Sequence, residues 1–155
     1  MKKMIKKYRK AKGFTLVELL IVVIIIGILA GMMMLSAGSA TDKAEAVKIV
    51  SNIRNIKSAV LMYYVDNQSW PTTTITLSTG NSSIDKYLDS KPTGYSVQVE
   101  NNGETITVQA DGATTVPKFV KDDAIYKKLI DLQANGAGIS VSGDKVTSTV
   151  RNAKD

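Results

Sequence analysis

Glu18 is the only ionisable residue in the run FTLVELLIVVIIIGILAGMMML, which extends from Phe14 to Leu35. A carboxylate in such surroundings has one obvious task, which is to hold a cation. An ammonium and a carboxylate inside an apolar bundle attract strongly, and either one is costly when left unpaired. At the centre of a membrane helix an acid costs about 3 kcal/mol, and less near the interface. Glu18 stands near the start of its run, so a tolerated interfacial acid is the bland alternative to a docking charge. Other chemistry is sparse. The chain has no Cys and no His, which excludes a disulfide framework, Cys-based zinc sites, Cys nucleophiles and any triad with a His base. It has no glycine-rich GK[ST] loop for a nucleotide. Carboxylate-only or Ser–Lys hydrolysis survives formally, but no paired carboxylates fall where a cleft would hold them.

The elements that position Glu18 begin with a basic leader. Lys2, Lys3, Lys6, Lys7, Arg9, Lys10 and Lys12 all lie in the first 13 residues, which contain no acid. The rest of the chain carries 13 basic against 14 acidic groups, a balance of −1, although the whole chain stands at +6. A basic tail on a neutral body indicates topology or targeting, and argues against a nucleic-acid-binding domain. As a helix, Phe14–Leu35 would be about 33 Å long, against a hydrocarbon core of about 30 Å. The basic run should stay cytoplasmic and put the body outside. A cleaved secretory signal would be shorter and followed by small residues. Here the small residue, Gly13, comes first, which suits a retained anchor behind a removable leader.

Lys12-Gly13 followed by Phe14-Thr15-Leu16-Val17-Glu18 resembles the processing site of type IV prepilins and pseudopilins. The resemblance implies cleavage between Gly13 and Phe14 by a membrane-embedded prepilin peptidase, then N-methylation of Phe14. It also implies that Glu18 pairs with the amino terminus of Phe14 in a neighbouring subunit, which would set the axial register. Further implied partners are other pilins, an inner-membrane assembly platform and a separate ATPase. In many family members a glycine at the position of Gly27, with a proline eight residues on, marks a stretch that melts. That later position is Leu35 here; Gly27, Gly31 and Gly38 would be the weak points, each lowering helix stability by up to about 1 kcal/mol relative to Ala. Gly27 and Gly31 also form a small-xxx-small pair that permits close helix packing, though ordinary glycine content explains it equally well.

Beyond Leu35 a single apolar stripe emerges. Ala46, Ile49, Val50, Ile53, Ile56, Val60 and Tyr63 or Tyr64 recur every three or four residues, with Lys43, Lys48, Asn52, Arg54, Asn55 and Lys57 between them. Ser36-Ala37-Gly38-Ser39 offers an interruption and Thr41-Asp42 a fresh cap, but one long helix over about 14–65 is the preferred reading. Met32, Met33 and Met34 read as adaptable packing. Pro71 and the Thr-rich run after it stop the helix. Tyr63-Tyr64-x-Asp66-Asn67 followed by Trp70-Pro71 also resembles the end of the first pilin helix, and there Trp70 is expected to seat helix against sheet.

Residues 72–94 read as a loop with one helical turn near Ile84–Leu88. Tyr95–Val99 and Thr105–Gln109 alternate as strands around an Asn101-Asn102-Gly103 turn. Thr114–Val120 is a further candidate strand, weakened by Pro117. Asp122-Asp123 opens a short helix with Ile125, Leu129 and Leu132 on one face. Ile139–Ser142 and Lys145–Val150 make a last hairpin. Asp122, Asp123 and Asp131 are conceivable calcium ligands, but they lack a spaced oxygen loop, and capping explains the first two better. No cofactor is expected. Asn67-Gln68-Ser69 and Asn81-Ser82-Ser83 match the N-glycosylation triplet, which is common by chance.

The expectation is an α+β pilin fold, a long helix with a hydrophobic first half packed on a small antiparallel head. The parts would be a leader at 1–13, a membrane and filament-core helix at 14–35, an amphipathic half at 36–71 and a head at 72–155. The precursor would cross the cytoplasmic membrane once, and the mature chain would join an extracellular or envelope filament. Two readings stay open beside a pilus subunit: a pseudopilin of a type II secretion or competence system, and a membrane-anchored binding module whose head would recognise sugar, a surface or DNA through Trp70, Lys118, Lys121, Lys127 and Lys128.

Overall fold

The computed structural model describes residues 13–77 and 82–152. Most of the leader, Asn81 of the second glycosylation triplet and the last three residues lie outside them. By its internal contacts the chain divides into two units, one ending at Gly38 and the other starting at Ser39.

The long helix α1 runs over Leu16–Asn67 without the interruption that Ser36–Ser39 offered. No proline occurs in this stretch, and Ile, Val, Leu and Ala dominate it. It ends where Gln68 turns to φ 51, a left-handed residue that closes helices. The last carbonyls are satisfied there: Gln68 N donates to Tyr64 O at 2.8 Å and Asn67 Nδ2 to Tyr63 O at 2.8 Å.

In the second unit the predicted stripe is the core. Ala46, Ile49, Val50, Ile53, Ile56 and Val60 are buried together with Val97, Ile106, Val108 and Val146 of the sheet. Five antiparallel strands are ordered β1-β2-β3-β5-β4, with β1 at Ile75–Leu77, β2 at Tyr95–Glu100, β3 at Thr105–Asp111, β4 at Ser140–Ser142 and β5 at Lys145–Asn152. The alternation of β3 places Ile106, Val108 and Ala110 inward. The polar residues of α1 also take part: Arg54 Nη2 donates to Ala137 O at 3.1 Å and Lys57 Nζ to Thr149 O at 2.7 Å. The second helix α2, Ala124–Ala134, buries Ile125 and Leu129, and Asp123 caps it by accepting from Tyr126 N at 2.6 Å.

Two expectations need correction. The segment read as a loop over 72–94 contains β1, because Ile75 and Leu77 alternate inward around Thr76 and pair with β2. The candidate strand at Thr114–Val120 is a series of turns. Pro117 has no N–H to give a ladder, and the segment folds back so that Phe119 enters the core at 1% exposure, with Phe119 N donating to Gly112 O at 3.0 Å. The helical turn near Ile84–Leu88 is a short 3-10 turn at Asp85–Tyr87.

Candidate assembly site

Gly13, Phe14 and Thr15 precede α1 in non-helical conformation, and Gly13 and Phe14 are exposed. Thr15 then caps the helix. Its Oγ1 accepts from Glu18 N at 3.2 Å. In return the Glu18 carboxylate accepts at Oε2 from Thr15 N at 2.8 Å and from Thr15 Oγ1 at 2.8 Å. This reciprocal pair is a capping box, which satisfies two of the donors that every helix start leaves orphaned. Its signature, Thr-x-x-Glu ahead of an apolar run, is legible at Thr15–Glu18, and it is the part of the site that attention to Glu18 alone overlooks. Both bonds use Oε2. Among the described residues Oε1 has no intrachain partner.

Behind this cap the helix is uncovered. From Phe14, 82% exposed, to Met34, 83% exposed, every large apolar side chain meets no other part of the chain closely enough to be buried. The helix is long and apolar enough to cross a membrane. A Cβ built on Gly27 or Gly31 meets nothing within 4 Å; the two lie one turn apart on the same face, and packing within the chain gives neither a reason to be glycine. The helix passes through Leu35 and Gly38 intact.

The other candidate residues are not gathered into a site. Trp70 stacks on Tyr64 with centroids 4.2 Å apart and carries the Arg151 guanidinium 5.3 Å from its ring, so its ring is engaged within the chain. Lys118, Lys121 and Lys127 are exposed. Of the acids, Asp123 serves the cap of α2, Asp122 turns the chain at φ 70, and among the described residues no group of three or more His, Cys, Asp or Glu could hold a metal ion. A second uncovered apolar patch, absent from the sequence reading, lies on the outward side of α1. Leu61, Met62 and Val65 line a groove of about 430 Å³ with Tyr87.

Residues 8–34 match the family described as the prokaryotic N-terminal methylation motif. The chain is 44% identical over 62 residues to a type II secretion system core protein G of Klebsiella michiganensis, covering 40% of this chain and 44% of that protein. It is 43% identical over 68 residues to the protein of the same description from Vibrio cholerae, covering 44% and 47%. The chain thus spans less than half the length of these secretion-system relatives. It is 31% identical over 146 residues to the type IV major pilin protein PilE of Neisseria gonorrhoeae, covering 93% of this chain and 79% of that one.

Proposed function

Because this chain belongs to the type IV pilin family, we propose that it is a structural subunit of a pilus or pilus-like filament. One observation carries the reading: an apolar half-helix with nothing of its own chain to cover it, led by a capped carboxylate and an exposed Gly-Phe pair. Such a surface needs lipid or neighbouring helices. In this reading the precursor spans the cytoplasmic membrane once at 14–35, with the basic leader 1–13 inside and the head, 72–155, outside on the amphipathic stretch 36–71.

A prepilin peptidase cleaves after Gly13, and the new amino terminus of Phe14 is methylated. The ammonium of an incoming Phe14 then meets Glu18 of its neighbour. The capping box leaves Oε1 for that ammonium, while Thr15 fixes the carboxylate by Oε2 and removes most of its rotameric freedom before the partner arrives. Gly27 and Gly31 let the helices approach closely. An inner-membrane platform and a cytoplasmic ATPase supply extraction and energy, since this chain has no nucleotide loop.

The alternative of a secretion pseudopilin has the higher identities in its favour, 43–44% against 31%. Those matches cover less than half of this chain, whereas the pilin match covers 93% of it, and on that ground the pilus subunit is preferred. The test is the intact mass and amino-terminal sequence of material sheared from the cell surface. A chain starting at N-methylated Phe14 in a sedimentable filament fraction is the expected result. A processed chain that stays in the membrane favours the pseudopilin, and a chain still carrying residues 1–13 in cells with an active peptidase overturns both.

A further inference from the structure

The solvent face of the sheet has an unusual composition. At one register, Thr76 lies opposite Ser96, Ser96 opposite Gln109, Gln109 opposite Thr147 and Thr147 opposite Ser140. All five strands therefore contribute a hydroxyl or an amide, spaced about 4.8 Å apart, and none contributes a charge. The next row, Gln98, Thr107 and Thr149, repeats the pattern. Outer faces of antiparallel sheets need only be polar. In a chain that is 22% charged, two rows with no Lys, Arg, Asp or Glu are a distinct surface.

This face is concave at one end. Ser96, Gln98 and Gln109 form the floor of a cup of about 430 Å³, closed by Asp111, Thr93 and Thr114. The wall is built rigidly: Gly94 has φ +82, and a Cβ there would lie 2.4 Å from the Thr114 carbonyl carbon, so only glycine lets the two loops close on each other. Asp111 N donates to Gly94 O at 3.0 Å across the same junction. The volume falls in the range of small-molecule clefts.

The inventory of groups selects the ligand class. Gln98 Nε2 donates to Ser96 Oγ at 2.9 Å, which orients that amide. Asp111 Oδ1 accepts from Ala113 N at 3.0 Å, and among the described residues Oδ2 accepts no hydrogen bond. The Gln109 amide has no intrachain bond among the described residues, so it presents two donors and an acceptor. Among the described residues no basic side chain lines the cup, which disfavours phosphate and nucleic acid, and the polar floor disfavours an apolar molecule. A lone carboxylate is too few ligands for a calcium site. Paired donors and acceptors at fixed spacing match a neutral molecule bearing several hydroxyls. We propose that the cup binds one or two sugar rings of a neutral glycan, and that the uncharged rows across the strands form the track along which further rings lie. The cup belongs to the head alone, so its test does not depend on polymerisation.

The test is amide NMR of the full chain in a phosphocholine detergent, which avoids sugar headgroups, titrated with a panel of cellobiose, maltose, lactose and N,N′-diacetylchitobiose. Saturable shifts confined to residues 93–98 and 107–114 with at least one of these, weakened at least tenfold by both Gln109→Ala and Gln98→Ala while the rest of the spectrum stays unchanged, are expected. Absence of shifts with the whole panel overturns the proposal. So do shifts indifferent to both substitutions, or a response at the cup to calcium chloride or inorganic phosphate alone.

Discussion

One helix serves two environments in this molecule. Between Ala46 and Val60 α1 buries a stripe every three or four residues, and the polar side chains beside the stripe, Arg54 and Lys57, bond to the backbone of the head. Between Leu19 and Met34 the same helix is apolar all round and uncovered. The first pattern is a finished interior; the second is a surface whose partner must come from outside the chain. Stability and assembly should therefore separate along the helix, and substitutions can be chosen to test that separation.

The largest effect is expected at Glu18. Removing one member of a buried ion pair costs about 3–5 kcal/mol, which is more than about a hundredfold in an association constant. Glu18→Ala should strip the sheared filament fraction accordingly while leaving thermal unfolding of the head unchanged. A filament yield equal to that of the unsubstituted chain would break the comparison at its most important point. Thr15→Val separates the two roles of the carboxylate, since it removes both hydroxyl bonds of the cap and keeps the charge. A smaller assembly defect than that of Glu18→Ala is expected.

Next comes a matched pair of truncations. Ile53 is fully buried, and Ile53→Ala should cost the head about 2–5 kcal/mol. Ile24, 51% exposed within the chain, should give no change in head unfolding when made Ala. Near-ultraviolet circular dichroism of the detergent-solubilised chain during heating reads both. Equal destabilisation would mean that the two halves form one cooperative unit.

The glycines sharpen the contrast further. Gly94 sits at φ +82 against the Thr114–Thr115 backbone, so Gly94→Ala should cost the head about 1–3 kcal/mol of strain. Gly27 has open space around it. In the isolated chain Gly27→Ala should be neutral or raise helix stability by up to about 1 kcal/mol, and any loss should appear only in the filament fraction. A glycine needed by its own chain and a glycine needed by a neighbour are thus told apart by which assay responds.

Much of this was readable from the residues, for identifiable reasons. The core stripe of α1, the β2–β3 hairpin and the cap of α2 are local patterns whose period or turn chemistry is carried by adjacent residues. The strand Ile75–Leu77 escaped because three residues in a Thr-rich stretch hold too few alternations to stand out, and only pairing with β2 makes them a strand. Thr114–Val120 looked extended by composition, but Phe119 had a better place in the core than a ladder position could give it. At the helix start the Glu18 charge drew attention while the Thr15 partner that orients it did not. The outward patch of Leu61, Met62 and Val65 was hidden by the assumption of one apolar face per helix.

The smallest expected effect lies in the loop that ties the head to the end of α1. Asp85 accepts from Ser82 N at 2.8 Å and from Ser82 Oγ, and pairs with Lys91 Nζ at 2.6 Å. The Lys91 bond first, and then the Ser82 bonds, hold its carboxyl at about 2, below an ordinary value of 3.8. Asp66 on α1 is also lowered, first by the Tyr87 hydroxyl and then by Lys86. A carboxyl whose folded value lies below its unfolded one stabilises the fold above the unfolded value, and that contribution is lost as the pH falls through the folded one. Head stability should therefore decline between about pH 4 and pH 2, and Asp85→Asn should flatten the decline while lowering stability at neutral pH. The pair is partly solvated, so the slope should be shallow. If Asp85→Asn leaves the pH profile unchanged, the loop is not held by this carboxylate, and the 82–91 segment must be fixed to the head by Ile84, which is fully buried.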